Sequence, residues 1–162
     1  MSSLREKINH DLKASLKEGK KEEVAVLRLL LNAIVKQEKE KRYRLFKQQN
    51  LNKEVSLTDE EIITVIWQEL KKREEAIAEF RKAGRDDLVE KEKTELIILK
   101  RYLPALLSEE EIRKKAKNVI EELGIKDIRG MGRVMAKLMP EIKGRARGEE
   151  VKRIVKELLL KK

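Results

Sequence analysis

The chain contains no cysteine and a single histidine, His10. Without cysteine it has neither a disulfide framework nor a thiolate metal site, which fits a reducing compartment and predicts a cytoplasmic protein. His10 lies beside Asp11 in a predicted helix, and we interpret it as a surface or boundary residue rather than a general base. The carboxylates alternate with lysines, as on solvated helix faces, so the sequence predicts no metal site and no cofactor.

Motifs that carry catalysis or bind nucleotides are equally scarce. The chain has no GxSxG elbow, no GxxxxGK[ST] phosphate loop and no GxGxxG turn, so we expect no catalytic activity of its own. Aromatic residues make up only 3% of the chain. No apolar run is long enough for a secretion signal or a membrane span, so we expect no membrane contact.

Charged residues, in contrast, make up 43% of the chain, with 40 Lys and Arg against 30 Asp and Glu. The excess is concentrated in two zones: residues 126–162 hold twelve basic and five acidic residues, and residues 36–53 hold seven and two. Localised positive charge predicts a polyanionic partner, most commonly nucleic acid, or an acidic protein surface. The interleaved charges are also typical of many heat-adapted proteins.

Apolar residues recur at helical spacing throughout, so the sequence predicts an all-α fold. Capping boxes begin three of the predicted helices, at Ser3 with Glu6, Thr58 with Glu61, and Ser108 with Glu111. The expected buried faces are Leu4, Ile8, Leu12 and Leu16 in the first helix, and Leu88, Leu96, Leu99 and Leu103 in the fourth. The second helix fades into a polar, basic stretch, and we expect it to extend beyond its core contacts.

Pro104 divides the chain into two predicted domains, because proline ends a helix. Residues 1–104 form an N-terminal domain of about four helices, and residues 105–162 form a small C-terminal domain of three. In the C-terminal domain we expect helices that end at Gly124 and near Pro140, and a last helix over residues 149–160.

Three cations of the tail, Arg129, Arg133 and Lys137, recur every fourth residue. On one helix they would share a face at steps of about 6 Å, close to the separation of phosphates along a nucleic acid strand. We therefore predict that they contact phosphates. The alternative, a solvated cationic face without a ligand, stays open because runs of charge are common on helix surfaces.

The turn KGRARG over residues 143–148 is the second candidate, with Lys143, Arg145 and Arg147 as its cations. Its glycines permit outward-facing amides, a helix begins directly after it, and arginine forks match phosphate oxygens. Two acids, Glu149 and Glu150, would repel a phosphate there, so a simple boundary between two helices stays open as the alternative. The predicted nucleic-acid-binding set is completed by Lys152 and Arg153.

A secondary basic patch is predicted at the end of the second helix, with Lys39, Arg42, Arg44 and Lys47. Tyr43 and Phe46 lie among these cations, and aromatic rings between basic residues can stack on bases. We expect one of the two rings to be buried against Leu45 or Leu51.

The stretch GRVMAKLMPEIKGRARGEEVKRIV resembles the shared motif of the GatB/YqeY family. The stretches LKEGKKEEVAVLRLLLNAI and ELKKREEAIAEFRKAGRDDLVEKEKTELIILKRYLPALLSEEEI resemble YqeY proteins as well, so the similarity spans nearly the whole chain. The family commonly has KGxADG at the turn where this chain has KGRARG. Arg147 thus replaces an aspartate that could cap the last helix, and it adds a guanidinium that favours an anion.

The resemblance implies an N-terminal helical domain and a C-terminal domain similar to the tail of the GatB subunit of the glutamine-dependent tRNA amidotransferase. That tail contacts the tRNA body, while the chemistry occurs elsewhere in the enzyme. The implied function is binding of tRNA or another structured RNA without a catalytic site. One alternative is a protein adaptor that binds an amidotransferase or aminoacyl-tRNA synthetase subunit. A carbon–nitrogen ligase is disfavoured because the similarity does not extend to the catalytic portion of the amidotransferase.

Overall fold

The computed structural model describes residues 3–48 and 54–161. Within these two ranges every regular element is helical, which confirms the all-α prediction. The α-helices are α1 (Leu4–Glu18), α2 (Lys21–Lys47), α3 (Asp59–Lys82), α4 (Asp86–Lys100), α5 (Glu109–Leu123), α6 (Met131–Ile142) and α7 (Gly148–Leu160), and a short 3₁₀ turn covers Ile128–Gly130.

The chain divides into two compact units, Met1–Tyr102 and Leu103–Lys162. We call them the N-terminal unit, which contains α1 to α4, and the C-terminal unit, which contains α5 to α7. The domain boundary inferred from the sequence, after Pro104, stays a prediction.

All three predicted capping boxes are present. In each, the hydroxyl oxygen of the capping residue accepts the backbone N–H of the glutamate three residues later, and that glutamate's carboxylate accepts the backbone N–H of the capping residue. These bonds satisfy donors that the first turn of a helix leaves unpaired, so they set where α1, α3 and α5 begin. Gly19 and Gly124 end α1 and α5 in the left-handed conformation, with φ of 71° and 63°.

The expected face of α1 is wrong at its end. Ile8 is buried, but the side chain of Leu16 is 49% exposed, and Ser15 is buried in its place. A step of four residues turns about 40° beyond a full helical turn, so three such steps carry Leu16 about 120° away from Leu4. The buried stripe therefore moves to the neighbouring residue.

The expected face of α4 is also largely wrong. Of the four leucines predicted for it only Leu99 is buried, while Val89, Ile98 and the carboxylate of Glu95 are buried with it. The reason is that α4 packs against both α3 and α2, so the buried surface of α4 is set by two neighbours rather than by one row of leucines.

In the C-terminal unit, α5, α6 and α7 pack around one apolar cluster. Its fully buried side chains are Ile112, Ala116, Val134, Leu138, Ile142, Val151, Ile154 and Val155. The helix α6 continues through Pro140 and ends at Ile142, two residues later than predicted. Proline removes one backbone hydrogen bond, and the complete burial of Ile142 offsets that loss.

Candidate nucleic-acid interface

Three contacts establish how the tail cations are arranged in the C-terminal unit. The backbone N–H of Leu107 donates to the carbonyl of Arg145 at 2.8 Å, so the turn between α6 and α7 lies against the segment that precedes α5. Arg153 of α7 pairs with Glu109 at 3.5 Å, in the first turn of α5. Lys137 of α6 pairs with Glu122, near the other end of α5.

The eight predicted contacts therefore fall into two groups. Glu109 and Glu122 are thirteen residues apart on α5, which corresponds to about 20 Å along the axis. The turn end, next to the start of α5, holds Lys143, Arg145, Arg147, Lys152 and Arg153. The α6 end, next to the last turns of α5, holds Arg129, Arg133 and Lys137. The single docking face inferred from the sequence is thus two separate surfaces.

At the turn end, part of the positive charge has a structural role. The Nε of Arg145 donates to the carbonyl oxygen of Ala105 at 2.8 Å, which fixes the turn rather than presenting the whole guanidinium outward. Lys143 adopts the left-handed conformation with φ of 48° and ends α6. Arg147 precedes α7 without a side-chain capping hydrogen bond, as expected where the family's aspartate is absent.

Carboxylates surround this turn. Glu109, Glu110 and Glu111 form the first turn of α5, and Glu149 and Glu150 form that of α7. Hydrogen bonds from Arg113 and the charge of Arg153 lower the pKa of the Glu109 carboxyl below its usual value. These ionised groups oppose a phosphate at the turn, and the structure therefore favours the helix-boundary interpretation of KGRARG.

The α6 end differs in three respects. The side chain of Arg129 is 89% exposed. Arg133 is exposed and has no ion-pair partner within residues 3–48 and 54–161. The helix α6 has no acidic residue in its first turn, and Gly130 precedes it without a side-chain cap. The start of α6 carries partial positive charge. The accessible guanidinium groups of Arg129 and Arg133 lie close to it in the chain.

The predicted row of Arg129, Arg133 and Lys137 on one helix is wrong for Arg129. Asp127 accepts the backbone N–H of Arg129 at 2.9 Å and holds it in the 3₁₀ turn before α6. Arg133 and Lys137 alone lie on α6 at the expected spacing. Sequence reasoning also omitted Lys126, an exposed cation just before this turn, because it lies outside the fourfold repeat.

Two of the α6-end cations are in surface ion pairs. Nη2 of Arg129 lies 2.9 Å from a carboxylate oxygen of Asp127, and Lys137 pairs with Glu122. Each acid raises the pKa of its partner, chiefly through the hydrogen bond between them. Both cations therefore keep their charge throughout the physiological pH range.

The secondary patch at the end of α2 is exposed at all four predicted cations, Lys39, Arg42, Arg44 and Lys47. The zone inferred from the sequence extends to residue 53, and its residues 49–53, Leu51 among them, lie outside the described residues. The expectation that one aromatic ring is buried is wrong, because the Tyr43 and Phe46 side chains are 60% and 62% exposed. Leu45 instead occupies the inner side of the helix and is half-buried.

No cluster of three or more His, Asp or Glu that could hold a metal occurs in the two described ranges. His10 is exposed, and its Nδ1 lies 3.5 Å from a carboxylate oxygen of Asp11. In the same ranges no helix is long and apolar enough to cross a bilayer. The absence of catalytic activity stays a prediction.

The sequence model of the Yqey-like protein family matches residues 5–159. Altered inheritance of mitochondria protein 41, mitochondrial, of Pyrenophora tritici-repentis is 38% identical over 91 residues, which cover 55% of this chain and 50% of that protein. An uncharacterized protein of Schizosaccharomyces pombe is 45% identical over 47 residues, 29% of this chain and 38% of that protein. The matches thus cover half or less of each curated relative, and neither name states a ligand or a reaction.

Proposed function

The chain belongs to the YqeY-like family, and from that premise we propose that it binds tRNA or another structured RNA without catalysing a reaction on it. The C-terminal unit contacts the phosphate backbone, with the α6 end as the main contact and the turn end as a weaker, peripheral one. Such contacts recognise the shape of an RNA rather than its sequence.

The observation that carries this proposal is the exposed guanidinium of Arg133, which has no ion-pair partner among the described residues and lies at the beginning of a helix without an acidic residue in its first turn. Arginine offers five N–H donors in a planar fork that matches two phosphate oxygens. The start of a helix adds partial positive charge. Arg129, in the preceding turn, supplies a second fork.

The ion pairs of Arg129 and Lys137 do not remove these residues from the interface. Exposed pairs of this kind contribute little to stability, so a phosphate can compete with the carboxylate. In addition, Asp127 accepts hydrogen bonds from the Nε and Nη2 groups of Arg129, and no polar contact of Nη1 occurs among the described residues. The pair holds the guanidinium in place before RNA arrives and lowers the entropy that binding costs.

The turn end supports binding less well. Lys143, Arg145, Arg147, Lys152 and Arg153 remain within the proposal, but their field is opposed by the acids that begin α5 and α7. At the turn end five acids accompany the five cations, whereas at the α6 end Arg133 has no acidic partner among the described residues, so the α6 end neutralises phosphates more effectively. We therefore expect the α6 end to dominate affinity.

The proposal is tested by titrating a labelled tRNA with the full chain and with two double variants of equal charge loss. R129Q/R133Q removes the two guanidinium groups of the α6 end, while K114Q/K117Q removes two exposed lysines of α5 that belong to no predicted contact set. We expect R129Q/R133Q to weaken binding by at least tenfold more than K114Q/K117Q does, because each arginine removed is a charge-assisted contact with a phosphate. Absence of binding at low salt, or equal effects of the two variants, overturns the proposal.

The adaptor hypothesis makes a different prediction. An amidotransferase or synthetase subunit bound to this chain would remain associated after nuclease treatment, whereas a complex bridged by RNA would dissociate. Hydrolysis of ATP or glutamine by the purified chain would instead favour a carbon–nitrogen ligase. We also propose that the protein is cytoplasmic. Because one relative is named as mitochondrial, fractionation of cells with an antibody to the chain is needed to decide between the two compartments.

A further inference from the structure

The outer side of the last turns of α2 carries exposed aromatic and basic side chains together. An α-helix turns by about 100° per residue, and the outer face of α2 comprises the positions within about 60° of Tyr43 around the helix axis. They are Lys36, Lys39, Glu40, Tyr43, Phe46 and Lys47, all of them exposed. Arg42 and Arg44 flank this outer face at about 100° on either side, and both are exposed.

Contacts on the opposite side of α2 hold the outer face in position. Glu38 pairs with Arg5 of α1. The ammonium of Lys41 lies 2.8 Å from the carboxylate of Glu61 in α3 and 3.1 Å from the carbonyl oxygen of Ser56. Since these contacts join α2 to α1, to α3 and to the segment that precedes α3, its last turns are anchored and Tyr43 points away from the core.

Both rings are open to a ligand. Tyr43 and Phe46 are three residues apart, about 4.5 Å along the axis. The Lys47 ammonium lies 4.9 Å from the centre of the Tyr43 ring and covers part of it, while a shallow surface hollow lies beside the same ring, lined in part by Lys39 and Arg44. Two flat apolar surfaces next to cations suit bases joined by phosphates.

We propose that the outer face of α2 binds an unpaired, single-stranded stretch of RNA, stacking bases on Tyr43 and Phe46 while Lys39, Arg44 and Lys47 contact its phosphates. The choice of RNA as the ligand rests on the proposed function. The site itself is separate from the α6 end and belongs to the N-terminal unit. It adds recognition of unpaired nucleotides to the recognition of a folded RNA backbone.

The composition of the face favours RNA over other anionic partners. The outer face and its flanks carry a single acid, Glu40, and five cations: Lys36, Lys39, Arg42, Arg44 and Lys47. A helix that lies on a membrane needs a broad apolar stripe, whereas here two adjacent rings are surrounded by cations. An acidic protein surface would satisfy the cations but has no specific use for flat rings, so it is retained as an outcome of the test.

The test measures binding of the full chain to three labelled probes at fixed salt: a twelve-nucleotide unstructured RNA, the same sugar–phosphate chain without bases, and poly-glutamate of similar charge. The variant Y43L/F46L keeps apolar side chains of similar size but removes the rings. We expect the RNA to bind at least tenfold more tightly than the abasic chain, and Y43L/F46L to remove that advantage, because each stacked base contributes measurably to affinity.

Matched variants separate this inference from the proposed function. K39Q/K47Q should weaken binding of both nucleic acid probes and lower its salt dependence, whereas K13Q/K17Q, which removes two exposed lysines of α1, should leave binding of the short RNA unchanged. Equal affinity for RNA and abasic chain, or no effect of Y43L/F46L, overturns the stacking site whatever the tRNA titration shows. Tighter binding of poly-glutamate than of RNA, again dependent on Lys39 and Lys47, overturns it in favour of an acidic protein partner.

Discussion

In the N-terminal unit the Nε atom of Arg73, on α3, lies 3.4 Å from a carboxylate oxygen of Glu95, on α4. Both side chains are almost fully buried, and Glu69 accepts a second contact from Arg73 at 3.1 Å. Burial raises the pKa of the Glu95 carboxyl, with a smaller contribution from Glu92, against the opposing charge of Arg73. The pair thus joins two helices at the cost of keeping charge inside the core.

Replacing only one partner should therefore be more damaging than replacing both. We expect R73L to lower the free energy of unfolding by about 3–5 kcal/mol, since it leaves a carboxylate buried without its cation, and R73L/E95L to cost much less. Trp67, the single tryptophan, lies in α3, so its fluorescence during urea unfolding reports on this unit. Equal losses in the two variants would contradict the interpretation.

Acid should weaken the C-terminal unit through the carboxylates of Glu109 and Glu157. Hydrogen bonds from Arg113 chiefly lower the pKa of both carboxyls from the usual 4.5. A carboxyl whose pKa is lower in the folded state contributes stability above about pH 4.5, and that contribution is lost as the pH falls through the lowered pKa. R113Q should make the helical circular dichroism less sensitive to pH between about 5 and 3, and an unchanged profile would count against these pairs.

The capping box at the start of α5 should contribute to local stability. The Ser108 hydroxyl oxygen accepts the backbone N–H of Glu111 at 3.2 Å, so S108A removes the acceptor and should lower the opening free energy of α5 by about 1 kcal/mol. Hydrogen exchange of peptides that cover α5 measures this change. S108D is the matched control, because aspartate is also a good capping residue.

Gly130 should tolerate no side chain while Ile125 is present. A Cβ atom at position 130 would lie 2.3 Å from Cγ2 of Ile125 and 2.8 Å from its Cδ1. We expect G130A to destabilise the C-terminal unit by about 1–3 kcal/mol through overpacking and to weaken tRNA binding by displacing the 3₁₀ turn that carries Arg129. The second variant, I125A/G130A, should recover part of the binding; no recovery would refute this link.

Salt dependence should identify which cations meet phosphates. Each cation that neutralises a phosphate contributes about 0.7–0.9 to the slope of log affinity against log salt concentration. We expect R129Q/R133Q to lower the slope for tRNA by about 1.4–1.8, the sum of two such contributions. K114Q/K117Q, which removes two exposed lysines of α5, should change it by less than one contact. Titrations at four salt concentrations measure both slopes.

Features encoded by neighbouring residues could be predicted from the sequence. Ser3, Thr58 and Ser108 each begin a helix as expected, because a capping box depends on two residues three positions apart. Gly19 ends α1 for an equally local reason, since it adopts a positive φ without strain. The basic zones also followed directly from counting charges.

Features that depend on packing partners could not be predicted in this way. Leu16 matched the apolar repeat of α1, yet it is exposed because the other helices of the N-terminal unit cover Ser15 instead. Tyr43 and Phe46 were recognised among the cations of α2, but the sequence did not show that both rings are exposed, because it does not reveal which side of α2 the core covers.

The amino-acid sequence by itself determined that this protein is helical, where most of its helices begin, and how much positive charge its tail carries, because these properties arise within one or two helical turns. The tertiary structure decided which basic side chains face solvent without a neighbouring acid. Folding places Lys41 against the carboxylate of Glu61 and Arg145 against the carbonyl of Ala105, whereas Arg133 stays accessible to solvent. Ion pairing depends on distances between segments far apart in the chain, and only packing sets those distances.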